Sequence, residues 1–135
     1  MYNPGVLRQG PIPQVVHGGI EYAAGVLFIA APFIFSFEAA GAIAASVVLG
    51  VLIIFIASIT RGPTSLIDTL PVPAHVLLDY VLAAVLVAVP FIFGFSGEDP
   101  TATAFFIVLG IVHLLLTVAT RFERPDGGAP AAPPR

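Results

Sequence analysis

The sequence has no cysteine, no lysine and no tryptophan, and only 10% of its 135 residues are charged. Because cysteine is missing, a disulfide framework, a thiolate metal site and thiol redox chemistry are all excluded. A soluble domain is about half apolar with about a quarter of its residues charged, whereas this chain is 58% apolar. Its long apolar runs therefore predict an integral membrane protein. We find no phosphate-binding glycine loop, nucleophile–base pair or basic nucleic-acid patch, so we expect neither an enzyme nor a nucleic-acid partner.

Two segments, 17–37 and 75–95, carry the same groups in the same order. Each has a histidine, a carboxylate four residues later, a tyrosine, and then the run Pro-Phe-Ile-Phe. Segments 47–61 and 107–121 also match, with a shared Leu-Gly pair and a shared Thr-Arg ending. The chain is thus an internal duplication of a two-helix unit. Because each unit crosses the membrane twice, both units enter from the same side, and a pseudo-twofold axis along the membrane normal relates them.

The fold class follows from the apolar segments, which are long enough to cross the hydrocarbon core as helices. We predict an all-α integral membrane protein, a four-transmembrane-helix bundle built from two tandem helical hairpins. Repeat 1 covers residues 15–61 and repeat 2 covers residues 75–121. The predicted helices are 15–37, 39–60, 76–95 and 102–120.

The remaining segments are rich in proline or glycine and are expected to lie outside the membrane. They are an N-terminal arm at 1–14, a connector at 62–74 and a disordered tail at 122–135. All five arginines fall on the side that holds these segments, while the opposite turns carry only acidic charge. Since basic residues mark cytoplasmic loops, we predict that both termini are cytoplasmic, in the inner membrane of a prokaryote. The arginines are Arg8, Arg61, Arg121, Arg124 and Arg135.

The proline motifs resemble those of the SPW-repeat family of small bacterial and archaeal membrane proteins. Members of that family have a two-helix unit, sometimes duplicated, with a His-x-x-x-Asp-like start and a Ser-Pro-Trp triplet near the end of the first helix. The corresponding triplets here are Ala31-Pro32-Phe33 and Val89-Pro90-Phe91, so serine and tryptophan are replaced in both copies. The resemblance covers roughly residues 15 to 121. It implies the tandem fold and the membrane location, but no activity.

Two carboxylates, Glu21 and Asp79, lie about one turn inside the cytoplasmic boundary of their helices. Ionisable groups within a membrane span are candidates for function. The second helix of each hairpin returns to the same side and ends in an arginine. We therefore expect structural ion pairs, Glu21 with Arg61 and Asp79 with Arg121.

His17 and His75 stand four residues before these carboxylates, so each pair shares one helical face. Two such pairs facing each other across the pseudo-twofold axis could bind zinc, manganese or iron through nitrogen and oxygen atoms. The candidate metal ligands are His17, Glu21, His75 and Asp79. The alternative is a pair of interfacial histidines that orient the carboxylates.

His113 has no counterpart in repeat 1, where Ile53 occupies the matching position. A lone histidine in an apolar helix could bind a haem or chlorin cofactor, relay protons, or bond to a local partner. Its expected depth allows a contact with Asp79.

Three functions fit these features, and the cofactor remains undetermined. The first is a non-enzymatic scaffold or accessory subunit that packs against the lipid bilayer and against other membrane subunits or itself. The second is a small proton- or ion-coupled transporter that uses Glu21, Asp79 and His113. The third is a metal- or pigment-binding protein centred on His113 or on the histidine–carboxylate pairs.

Overall fold

The computed structural model describes residues 10–122 and contains four long helices. Each is long and apolar enough to cross a membrane. The predicted fold class, an all-α four-helix membrane bundle, is therefore confirmed. The helices are α1 (Gln14–Ile34), α2 (Ala40–Ile59), α3 (Val72–Ile92) and α4 (Pro100–Ala119).

The first helix of each hairpin ends earlier than predicted, at Ile34 rather than 37 and at Ile92 rather than 95. Proline lies in the last turn of each, and the chain then leaves the helix through a residue in the left-handed region, Ser36 (φ 52°) or Gly94 (φ 74°). After α1, the N–H of Phe37 donates to the carbonyl of Pro32 at 3.0 Å. This is the closure that commonly ends a helix.

The second repeat begins its helices earlier than predicted, at Val72 rather than 76 and at Pro100 rather than 102. The prolines flanking Val72 are compatible with a first helical turn, where the missing N–H has no intrahelical partner. Asp99 precedes Pro100 as an N-cap, and its side chain accepts from the N–H of Ala102 at 2.9 Å. An aspartate followed by proline is a strong helix start, and the sequence prediction overlooked it.

The helices approach closely within each hairpin because glycine faces glycine or a small residue. A Cβ on Gly50 would lie 2.6 Å from the carbonyl oxygen of Gly25, and a Cβ on Gly110 would lie 3.2 Å from that of Ala83. Larger side chains fill the space between the hairpins and form the main core. The core includes Phe28, Ile53, Leu86, Phe95 and Phe106.

At the inner end, where the predicted cytoplasmic segments lie, each hairpin is joined to the other. Residues Ile12–Pro13, just before α1, form a short parallel strand pair with Thr120–Arg121, just after α4. In the matching place, Leu70 before α3 bridges to Thr60 after α2. The start of each odd-numbered helix therefore lies beside the end of an even-numbered helix.

The predicted disordered tail began at Phe122, but the side chain of this residue is buried and only 2% exposed. It packs with Val72 and Val76 at the start of α3, and the gain from burying an aromatic ring explains why it is ordered. The rest of the predicted tail, 123–135, and most of the predicted arm, 1–9, lie outside the described residues.

At the outer end, a single carboxylate serves both repeats. Asp99 caps α4, and its Oδ2 atom also accepts from the backbone N–H groups of Glu38 at 2.7 Å and Ala39 at 3.1 Å, just before α2. Burial raises the pKa of the Asp99 carboxyl, but these backbone donors outweigh it and hold the pKa below its usual value. Repeat 1 has no side-chain cap of its own on α2.

Candidate metal centre

Four buried side chains converge between the inner halves of α1 and α3. His17 and Glu21 lie on one face of α1, and His75 and Asp79 lie on the matching face of α3. All four are at most 4% exposed. One potential ligand atom from each lies within 4.8 Å of the others. The structure thus brings together the two pairs that the sequence placed across a pseudo-twofold axis.

The two histidines and two carboxylates alternate around a small space. His17 Nε2 lies 3.5 Å from Glu21 Oε1 and 3.2 Å from Asp79 Oδ2. His75 Nε2 lies 3.4 Å and 3.3 Å from the same two atoms. Ligands bound tetrahedrally at 2.0–2.1 Å would lie about 3.3–3.4 Å apart. Four of the six separations therefore have lengths close to those of a tetrahedral site, and the other two do not exceed 4.8 Å.

The other ring nitrogen of each histidine is held by a threonine from the opposite repeat. His17 Nδ1 lies 2.8 Å from Thr120 Oγ1, and His75 Nδ1 lies 2.8 Å from Thr60 Oγ1. The strand pair and the bridge at the inner end place these threonines beside the histidines. Neither repeat alone could orient its own histidine.

These threonines fix the tautomer of both imidazoles. Each hydroxyl donates its only proton to a carbonyl in the preceding turn, at 2.6 Å for Thr60 and 2.7 Å for Thr120. It must therefore accept a proton from Nδ1. In a neutral imidazole, Nε2 then carries a lone pair, and both Nε2 atoms face the carboxylates. A metal-binding histidine usually has this arrangement, in which its other ring nitrogen donates to an oxygen atom.

The cluster needs two positive charges. With neutral imidazoles it carries the charge of two carboxylates, which is costly to bury without compensation. Two protons on the Nε2 atoms or one divalent cation would restore neutrality. The Nε2 atom of His17 is buried and lacks a hydrogen-bond partner although Asp79 Oδ2 is 3.2 Å away, so its lone pair is available to a cation.

The predicted ion pairs with arginine do not form among the described residues. Glu21 and Asp79 pair with histidines instead. Arg61 donates to the backbone carbonyl of Asp68, and Arg121 is exposed. The reason is the direction of the side chains. The carboxylates face the pseudo-twofold axis. Each arginine directly follows a threonine that faces this axis, so the arginine itself points away from it.

His113 lies at the edge of the cluster, as its predicted depth allowed. Its Nε2 is 3.6 Å from Asp79 Oδ1. Thr117, one turn further along α4, lies 3.5 Å from Asp79 Oδ2 and donates to the carbonyl of His113 at 3.0 Å. Asp79 is thus surrounded by histidines on three sides, whereas Glu21 faces only two of them.

Phe122 covers the cluster on its inner side. Its ring centroid lies 5.1 Å from that of His17 and 6.3 Å from that of His75. Beside it, a void of about 10 Å³ lies between Gly18, Thr64 and the cluster. A void of this size is close to the minimum that holds one water molecule.

Sequence reasoning did not assign the threonines or Phe122 to the site. The signal for the threonines was visible, since the Thr-Arg ending recurs in both copies, but it was interpreted through the arginine. Phe122 gave no signal, because it adjoins a segment rich in proline, glycine and alanine.

The fold and the site together define a class: a small multi-pass membrane protein made of two tandem helical hairpins, with a histidine–carboxylate cluster between them. The SPW repeat domain model matches residues 14–120. The chain therefore belongs to the SPW repeat family, as the resemblance of its proline motifs predicted. No curated protein and no solved structure has significant similarity to the chain.

Proposed function

We propose that this membrane protein binds one divalent transition-metal ion through His17, Glu21, His75 and Asp79. The observation that carries the proposal is the alternating cluster, whose Nε2 and carboxylate oxygen atoms are 3.2–3.5 Å apart. The fixed tautomers and the unbalanced charge support it independently. Four protein ligands complete a tetrahedral shell, which is typical of ions that are held rather than used in catalysis.

The donor set indicates which ions would bind. Imidazole nitrogen with carboxylate oxygen suits zinc, iron and manganese, while calcium and magnesium prefer shells made of oxygen alone. With two carboxylates and two neutral imidazoles, a divalent ion leaves the buried site uncharged. Because α1 and α3 each supply two ligands, the ion would also link the two hairpins, which otherwise pack less closely than the helices within each hairpin.

Elemental analysis tests the proposal directly. The full chain is purified with a tag that contains no histidine, reconstituted in lipid nanodiscs, stripped with a chelator and equilibrated with zinc. We expect one ion per chain in the unmodified protein and in Glu98→Gln, whose carboxylate is exposed in the outer turn. His75→Ala should lose more than about 100-fold in zinc affinity, since loss of a residue that only hydrogen-bonds to a ligand already costs about 10–100-fold. Equal zinc content in all three proteins would overturn the proposal.

The other hypotheses stay predictions. The exposed apolar side chains of the spans suit lipid as well as a protein partner, so an accessory-subunit role gains no specific support. A transporter would use Glu21, Asp79 and His113, which do lie near one another. A haem or chlorin on His113 is likewise a prediction.

We also propose that both termini face the cytoplasm of a prokaryotic cell, because all five arginines precede α1, follow α2 or follow α4 along the chain, and basic residues mark cytoplasmic segments. The absence of cysteine makes the test simple. A membrane-impermeant maleimide applied to intact cells should label Gly97→Cys in the outer turn and spare Leu66→Cys in the connector. The reverse pattern would contradict this orientation.

A further inference from the structure

A second cavity, of about 60 Å³, lies deeper in the bundle than the cluster. Its walls are apolar and come from both hairpins. Only two polar residues, Glu21 and His113, reach it among the described residues that line it. The apolar wall includes Ala24, Phe28, Ile53, Leu86 and Leu109.

The rim of this cavity faces the lipid. Ile20 on α1 and Val112 on α4 both line it, and they are 41% and 49% exposed on the outer surface of the bundle. The surface of these helices is the part of the chain that contacts hydrocarbon. A molecule would therefore enter from the membrane rather than from water, which selects for uncharged, lipid-soluble compounds.

His113 is one of the two polar residues that line this apolar space, and Glu21 is the other. The residue is 8% exposed, and its Nε2, although 3.6 Å from Asp79 Oδ1, is buried and has no hydrogen-bond partner. A buried polar atom without a partner is costly and calls for an explanation. Repeat 1 has Ile53 at the matching position, on the same cavity wall. The histidine is therefore present in only one of the two repeats.

We infer that this cavity binds a small uncharged molecule of two or three heavy atoms, the size class of dioxygen, nitric oxide, nitrous oxide or carbon dioxide, with His113 as its polar contact. The volume sets the size. One water needs only about 10–15 Å³, and a cavity that accepts benzene measures about 150 Å³. Apolar cavities stay dry and take up such molecules and xenon. This inference does not require the proposed metal, because the cavity and His113 are described without it.

Xenon tests the cavity in chelator-treated protein, so its outcome is independent of metal binding. The protein in nanodiscs is labelled at methyl groups and placed under increasing xenon pressure. We expect saturable shifts at the methyls of Ile53 and Leu86, and only linear shifts at lipid-facing methyls. Ala24→Leu should fill the cavity and abolish saturation, while Ala23→Leu, on the neighbouring exposed position, should retain it.

Two further measurements complete the test. Leu86→Ala enlarges the cavity and should increase xenon uptake, which guards against an unfolded Ala24→Leu variant. Nitrous oxide should produce a saturable shift of the His113 ring signals. Linear shifts everywhere, saturation that survives in Ala24→Leu, an acyl chain seated in the cavity, or an unchanged His113 signal would each overturn the inference.

Discussion

The two repeats are alike in the four side chains of the cluster and differ at single positions around it. At the inner end, repeat 1 supplies His17 and Glu21 and repeat 2 supplies His75 and Asp79, at matching positions of α1 and α3. Each histidine is held by the threonine of the other repeat, at 2.8 Å in both cases. The symmetric groups are therefore those that act as one cluster, and the cluster needs both copies.

The differences lie around this symmetric centre. His113 replaces Ile53 beside the apolar cavity, and Phe122, which covers the cluster, takes the place of Gly62. At the outer end, the carboxylate of Asp99 caps helices of both repeats, while Ala39 occupies the matching position in repeat 1. The comparison teaches that matched residues of both repeats form the cluster, while single-copy residues cover it and line the cavity beside it.

Removing one histidine from either repeat should have the largest effect. If the cluster is one shared site, His17→Ala and His75→Ala should each lower zinc affinity by more than about 100-fold. Affinity is measured by competition with a chromogenic chelator at fixed pH. His113→Ile, which copies the residue of repeat 1, serves as the control and should bind zinc much more tightly than either. Wild-type affinity in one of the two alanine variants would show that the repeats do not share the site.

Removing the threonines should have the next largest effect. Thr60→Val and Thr120→Val each delete the acceptor for one Nδ1–H group and should weaken zinc binding by about 10–100-fold. Because each threonine supports the histidine of the other repeat, Thr60→Val should perturb the ring signals of His75 more than those of His17. Thr101→Val, at an exposed position, is the control. The opposite pattern of ring perturbation would refute the crosswise support.

Asp99 tests whether the two repeats are also joined at the outer end. Asp99→Ala should lower the free energy of unfolding in mixed micelles by about 1–2 kcal/mol, because it removes a helix cap and leaves backbone donors of both repeats unpaired. Glu98→Ala, at the exposed neighbouring position, should change it by less than about 0.5 kcal/mol. Equal effects of the two variants would mean that Asp99 does not join the repeats.

The Asp99 carboxylate should also make the free energy of unfolding depend on pH, and the direction of its pKa shift gives the sign. The pKa of Asp99 is lower in the folded protein than in the unfolded chain, so its contribution is fully present above the unfolded value of about 3.9. It is lost as the pH falls through the lower folded value. The stability gap between wild type and Asp99→Ala should therefore be constant at neutral pH and close in acid. A gap that widens in acid would contradict this assignment.

The glycine contacts predict a difference in stability between substitutions in the two hairpins. A Cβ on Gly50 would meet the backbone of Gly25, so Gly50→Ala should destabilise repeat 1 by about 1 kcal/mol or more. The nearest contacts of Gly110 are 2.9–3.2 Å away and include side-chain atoms that can shift, so Gly110→Ala should be milder. Gly19→Ala, with open space around it, should stabilise the helix by up to about 1 kcal/mol. The free energies of unfolding in mixed micelles would rank the three variants. An equal loss of stability in all three would contradict the glycine contacts described above.

The fold was predictable because duplication and hydropathy act over many residues. The matched histidines, carboxylates and prolines specified two hairpins, and one helical turn between His17 and Glu21 specified a shared face. The pairing with arginine was wrong because depth along a helix does not determine which way a side chain points. The support by Thr60 and Thr120 depends on short strand contacts between hairpins, which carry no periodic signal.

X-ray absorption on the zinc-loaded protein in nanodiscs tests the central claim most directly. A site built by both repeats predicts nitrogen and oxygen neighbours at about 2.0–2.1 Å, with outer-shell scattering from two imidazole rings. In His75→Ala, any zinc that still binds should show the outer-shell scattering of at most one ring. A shell of oxygen alone, without imidazole scattering, or a spectrum that does not change in His75→Ala would contradict the account.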